Sequence, residues 1–176
     1  MAGSRDPISN SPHLDRVDLD HFREAMSRLG ASVSIVTTDG KMGRCGLTVT
    51  SVTSVSDDPP ILLTCINHQS RTCDVLSGNG VFAVNVLAAG TEKLSDVFAG
   101  RHDCTYEDRF DHAEWHDASA GTGAPVLKDA RVALDCDVVD WIDSGTHRVF
   151  FGQVVGIRLG QPTPALLYVD RDYREI

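Results

Sequence analysis

The stretch Gly46-Leu47-Thr48-Val49-Thr50-Ser51-Val52-Thr53-Ser54-Val55-Ser56 holds six hydroxyl side chains in eleven positions. Its valines recur every third residue, whereas a half-buried strand repeats its apolar residues every second one. The broken period predicts a bulge or turn at which backbone N–H groups and hydroxyls face a ligand instead of a ladder partner. Such a surface suits a phosphate or a polar chain. A threonine-rich edge strand with one solvated face has the same composition, because threonine favours sheets. A second segment, Asn67-His68-Gln69-Ser70-Arg71-Thr72, follows an apolar run and opens a short helix. There Ser70 or Thr72 can cap the helix while free N–H groups and Arg71 converge on an anion. An ordinary cap beside a solvated arginine reads identically.

The polar residues His102, Asp103, Cys104, Asp111, His112, Glu114 and His116 crowd one irregular stretch. Their spacing matches no established zinc pattern, so no metal is assigned to them. The same stretch, residues 101–123, has the length of an ordered functional loop that could shape a substrate pocket or a subunit contact. His147 begins a β-rich run, a place where a histidine is ordinarily structural.

The elements that must position these groups follow from periodicity. Phe22, Ala25, Met26 and Leu29 fall at helical spacing within residues 18–29, predicting one amphipathic helix. Residues 31–38 and 45–56 flank an Asp39-Gly40 turn as a hairpin, and residues 61–66 give a third strand after Pro59-Pro60. A short helix over 72–76, closed by Ser77-Gly78-Asn79-Gly80, leads to a strand over 81–87. Thr91 is placed to cap a second clear helix that ends before Gly100. Residues 130–142 and 147–159 are long β-rich segments, and residues 165–169 form a final strand. Six or seven strands against two or three short helices predict a mainly β domain, a closed or partly open barrel.

A chain of 176 residues with 41% hydrophobic content fits one such domain over 17–176, preceded by a polar leader over 1–16 without periodicity. The formal charge of −9 disfavours nucleic acid and anionic lipid as partners. No apolar run reaches the roughly 20 residues of a membrane span, and the expected location is cytoplasmic. The five cysteines are odd in number and lack a CxxC pair, so they read as reduced thiols, with Cys65 and Cys136 buried as small hydrophobes.

The order of segments resembles the short-chain flavin reductase family. The resemblance begins with Gly46-Leu47-Thr48-Val49-Thr50-Ser51, Pro59-Pro60 and the Asn67 to Thr72 turn, and continues with Phe82-Ala83-Val84-Asn85-Val86-Leu87. It runs on through Leu94-Ser95-Asp96-Val97-Phe98-Ala99-Gly100, Gly123-Ala124-Pro125-Val126-Leu127, Leu134-Asp135-Cys136, Gly145-Thr146-His147 and Phe151-Gly152-Gln153-Val154. It spans nearly everything from Phe22 to Tyr173.

What the resemblance implies is a homodimeric FMN-binding split β-barrel of Greek-key type, related to pyridoxamine phosphate oxidases. Its expected role is the reductase component that supplies a flavin-dependent monooxygenase. Expected cofactors are FMN or FAD, with NADH or NADPH as electron donor. By position, Thr48, Thr50, Ser51 and Val52 should line the flavin ring and ribityl chain, and Asn67, Ser70, Arg71 and Thr72 its phosphate end. His147 matches the histidine of the family's Gly-Asp-His motif near flavin and nicotinamide, although Thr146 here replaces the carboxylate. Hydride transfer between two rings needs proximity and orientation more than dedicated acids and bases. An oxidase of the pyridoxamine phosphate type, or a flavin-binding electron carrier without catalysis, are the other readings; the first demands clustered basic residues that the chain lacks.

Overall fold

The computed structural model describes residues 17–116 and 121–176. The leader read over residues 1–16 lies outside the described residues. Asp18 caps helix α1 (Leu19–Ser27), its carboxylate accepting the His21 N–H at 2.9 Å. The chain continues through β1 (Ala31–Ser32), β2 (Ser34–Thr38), β3 (Cys45–Val49), β4 (Val52–Asp57) and β5 (Pro60–Asn67). Helix α2 (Arg71–Asn79), β6 (Val81–Val86) and helix α3 (Glu92–Phe98) follow. A 3-10 turn (Asp108–His112) and the short pair β7 (Trp115–His116) and β8 (Val126–Leu127) interrupt the irregular stretch. The long hairpin β9 (Val132–Ser144) and β10 (His147–Leu159) precedes β11 (Leu166–Val169) and β12 (Asp172–Glu175).

The main sheet is antiparallel and seven-stranded, in the order β3-β2-β6-β9-β10-β5-β4. Its two edge strands, β3 and β4, are separated in sequence only by Thr50 and Ser51. Three Cα steps span at most about 11 Å, so the edges must meet and the sheet must curl into a barrel that is split at this point. The Ser51 hydroxyl ties the crossover to β5, donating to the Cys65 carbonyl at 3.1 Å and accepting the Cys65 N–H at 3.2 Å. This crossover explains the valine spacing of three: Val49 and Val52 belong to different strands, and a register shift between Ser54 and Ser56 resets the alternation again. The hydroxyl-rich segment is therefore the seam of a split β-barrel.

Inside the barrel Phe82, Phe150, Ile66, Leu76, Val36 and Cys136 form a buried cluster. A Cβ on Gly152 would stand 2.4 Å from the Phe82 ring, which is why the bulged β10 carries glycine there. A second cluster packs Ile35, Leu87, Phe98, Phe110 and Leu127 beneath the irregular stretch. In it the rings of Phe98, Phe110 and Trp115 stand 5.0–5.7 Å apart, so Phe110 and Trp115 serve as core.

Four local expectations are corrected. Helix α2 does not close at Ser77 but runs to Asn79, with only Gly80 left-handed; Ser77 bonds back to the Cys73 carbonyl and the Asn79 amide bonds to Thr38 and Gly43. Thr91 occupies the N-cap of α3 but its hydroxyl donates backward to the Ala88 carbonyl at 2.7 Å, giving no side-chain cap. A strand beyond 165–169 exists because Asp170 and Arg171 adopt positive φ and turn the chain back into β12. Cys65 is half-buried, unlike Cys136, because the outer face of β5 carries it. Burial pushes the Cys136 thiol up to about 12, which leaves it no thiolate character near neutrality.

Two groups of apolar side chains are exposed among the described residues. On α1 the predicted stripe is present but open, with Phe22 53%, Met26 47% and Leu29 61% exposed. Trp141, Ile142, Val155, Ile157 and Leu159 are exposed along the β9–β10 hairpin. Among the described residues no helix is long and apolar enough to cross a membrane.

Candidate active site

The seam between β3 and β4 opens into a cleft of about 360 Å³, lined by Leu47, Thr48, Val49, Thr50, Ser51, Cys65, Asn67 and His147. Five of the sequence-predicted site residues thus converge although they come from three separate segments. The reason is the register: β5 and β10 pair so that Asn67 lies opposite His147 and Cys65 opposite Val149. Side chains two apart share one face, which sets Cys65, Asn67 and His147 together on the outer face while Thr64, Ile66 and Phe150 point into the core.

The Thr48 hydroxyl donates to the Ser95 carbonyl at 2.7 Å and so fastens the cleft wall to α3. On the other side of Thr48, Val49 and Thr50 lies a smaller cavity of about 180 Å³, completed by Val33, Ser95, Ala99, Arg101, Tyr168 and Tyr173. Its polar rim is interlinked, with the Tyr173 hydroxyl donating to Asp96 at 2.8 Å and Arg101 donating to the same carboxylate at 2.6 Å. Burial raises the Tyr173 hydroxyl above its ordinary range. The rings of Tyr168 and Tyr173 meet edge-on at 5.4 Å.

The remaining predicted residues lie outside the cleft lining. Val52 packs on the barrel core opposite Thr64. Ser70 is the N-cap of α2, its hydroxyl accepting the Thr72 N–H at 3.3 Å. Thr72 is fully buried, its hydroxyl 3.2 Å from the Cys45 sulfur. Arg71 is exposed, with its guanidinium 5.6 Å from the Tyr106 ring. The Asn67 carbonyl oxygen of the side chain accepts the Gln69 N–H at 2.8 Å, which starts the turn and leaves its NH2 group for the cleft.

Sequence reasoning missed Cys65 in the cleft lining and Ser95, Arg101 and Tyr173 around the smaller cavity. The two-residue spacing from Cys65 to Asn67 was a usable signal; Tyr173 depends on the β11–β12 turn, which leaves no mark in periodicity. Among the described residues no group of three His, Cys, Asp or Glu side chains could hold a metal.

Behind His147, the Arg148 guanidinium grips Asp143 through two bonds of 2.6 and 3.0 Å and reaches the Ser77 hydroxyl at 2.9 Å. His68 Nε2 lies 3.8 Å from the same carboxylate. The hydrogen bonds from Arg148 hold the Asp143 carboxyl below its ordinary range, aided by the charges of Arg148 and His68. A carboxyl lowered in the folded state adds stability above the ordinary carboxylate range and loses it as pH falls through the lowered value. The gap in melting temperature between the parent and Asp143→Asn is therefore expected to be open at neutral pH and to close on acidification; a gap that is constant with pH contradicts the ion pair.

The comparisons with known proteins agree with this geometry. The model of the flavin reductase like domain matches residues 26–176. The chain is 46% identical over 168 residues to the FMN reductase (NADH) RutF of Ancylobacter novellus, covering 96% of this chain and 91% of that protein. The solved structure of BorF, the flavin reductase component of a bacterial two-component tryptophan halogenase, superposes with a TM-score of 0.83 at 29% identity, over 90% of this chain and 98% of that one. The NADH:FAD oxidoreductase SgcE6 of Streptomyces globisporus, solved with NAD and FAD fragments, gives 0.83 at 28% identity over 94% and 97%. With the split barrel, the hydroxyl seam and His147 falling inside the matched region, the chain belongs to the flavin reductase like domain family.

Proposed function

We propose that the protein is an NADH-dependent flavin reductase that uses FMN as its flavin and delivers the reduced flavin to a partner monooxygenase. The observation that carries this reading is the single cleft in which Thr48, Thr50, Ser51, Asn67 and His147 meet. The cleft fits a flat conjugated ring with a polyol chain: Leu47, Val49 and Cys65 give apolar contact, while hydroxyls, an amide and an imidazole supply polar contacts at the rim. A flavin held there by Thr48, Thr50, Ser51 and Asn67 would supply the acceptor for the hydride of a reduced nicotinamide.

The protein's own part is positional. Ser51 and Thr48, each tied to a neighbouring element, keep the seam at fixed width. His147 offers a ring nitrogen for the second substrate. Ser70, Arg71 and Thr72, at the start of α2, are assigned to the phosphate end, through Arg71 and the backbone rather than through the buried Thr72 hydroxyl. The choice of FMN and NADH follows the curated relatives, which are FMN reductases using NADH. The free state of all five cysteines fits a reducing compartment, and we assign the protein to the cytoplasm. The test is nicotinamide oxidation by purified protein with NADH or NADPH, each with FMN, FAD or no flavin. Turnover that needs added flavin supports the reading; no turnover in any combination contradicts it.

The same proposal includes a homodimer. The open apolar stripe of α1 and the exposed apolar side chains of β9–β10 are surfaces that a second copy would cover. Sedimentation is expected to give twice the chain mass, and a double change of Trp141 and Ile157 to aspartate is expected to give the monomer; a monomeric parent contradicts the dimer.

A further inference from the structure

The ring of His147 is held by its neighbour: Thr146 Oγ1 lies 2.8 Å from His147 Nδ1. A neutral imidazole carries one N–H, and the partner of one nitrogen decides which nitrogen has it. A hydroxyl can donate or accept. Two considerations favour it as the donor. The free side chain already prefers its proton on Nε2. And Nδ1 is the one hydrogen-bond partner of the exposed Thr146 hydroxyl among the described residues.

Among the described residues no charged group is bonded to the His147 ring. Across the ladder stands the neutral Asn67, and Ser144 is the partner on β9. Arg148 is committed to Asp143 and Ser77, and His68, whose N–H donates to the Thr146 carbonyl at 3.0 Å, turns its ring to Asp143 at 3.8 Å. We propose that Thr146 is a positioning residue that fixes His147 as the Nε2–H tautomer, so that the neutral ring donates a hydrogen bond into the cleft to the carboxamide oxygen of the nicotinamide. The nicotinamide contact rests on the reductase reading above; the tautomer does not. A carboxylate at position 146 accepts only, so it would draw the proton to Nδ1 and turn the cleft-facing nitrogen into an acceptor. The hydroxyl thus makes the donor available without a positive charge on the ring.

The test uses the full chain, labelled with 15N histidine, in long-range 15N–1H correlation spectra recorded above the ordinary histidine range. The His147 signals are assigned by their loss in His147→Ala. Parent and Thr146→Ser are expected to show Nε2 protonated and Nδ1 bare, and Thr146→Asp the reverse. With FMN present, Thr146→Asp is expected to raise the KM for NADH roughly fivefold, the worth of one hydrogen bond, with the Kd for FMN unmoved. Thr146→Ser is expected to restore the parent KM. A parent protein with the proton on Nδ1 overturns the proposal. If the tautomer is as stated but no Thr146 variant moves the KM, the nicotinamide contact is overturned while FMN-dependent turnover keeps the reductase reading intact. If the parent oxidises no NADH at all, the reductase reading falls, and the spectra still decide the tautomer.

Discussion

Replacing Asn85 by leucine is expected to lower the free energy of unfolding by about 3 kcal/mol, with an unchanged dependence on urea. Asn85 is fully buried on β6, where its NH2 group donates to the Ile35 carbonyl at 3.1 Å and to the Thr37 hydroxyl at 3.2 Å. Its oxygen accepts the Leu127 N–H at 2.8 Å. Thr37 completes the set by donating to the Pro125 carbonyl at 2.6 Å. One side chain therefore fastens the segment that ends the irregular stretch onto two barrel strands. Leucine has nearly the same volume but strands the buried Leu127 N–H, and a buried donor without a partner costs about 1–3 kcal/mol by itself. Equilibrium unfolding in urea measures this; a loss below about 0.5 kcal/mol, the size of an ordinary surface substitution, would show that the amide is not the fastening.

His147→Ala is expected to lower kcat/KM for NADH roughly ten- to a hundredfold, equivalent to about 1.4–2.7 kcal/mol, with little change in the Kd for FMN. The asymmetry follows from position. His147 stands at the first residue of β10, opposite Asn67 and on a different strand from Thr48, while Thr48 and Ser51 line the cleft from the seam. Removing a donor assigned to the second substrate weakens its binding and alignment, for which small displacements are costly. Equal losses in flavin and NADH binding would instead place His147 on the flavin, and unchanged kinetics would remove it from the site.

Much of this arrangement could be read in the residues alone. The elements with strong periodicity, α1 and the long β9–β10 pair, sit where their patterns put them, because side-chain spacing responds to burial along a single element. The seam left a trace in the valines at 49, 52 and 55, whose spacing departs from the two-residue repeat of a regular half-buried strand. What stayed hidden depends on partners distant in sequence. Thr72 has the residue type of a phosphate ligand, but only the packing of α2 against β3 reveals that its hydroxyl is turned to Cys45. Val52 has the right position in the motif but faces the core, a consequence of the crossover flipping the face of the next strand. The cavity lined by Arg101, Tyr168 and Tyr173 joins α3 to the last hairpin, and nothing local in either segment points to the other.

The open stripe on α1 teaches the same lesson in reverse. Its amphipathic pattern is legible, yet among the described residues the stripe stays exposed, so periodicity alone did not say what covers it.

The central claim is that this cleft brings a reduced nicotinamide to a flavin. The direct measurement is anaerobic mixing of the protein and FMN with NADH, following the loss of nicotinamide absorbance and the bleaching of oxidised FMN together. The account predicts that both signals change with the same rate and in equal amounts, that the rate saturates with NADH, and that it slows severalfold when the transferred hydrogen of NADH is deuterium. FMN that stays oxidised while bound, at any NADH concentration, would contradict it.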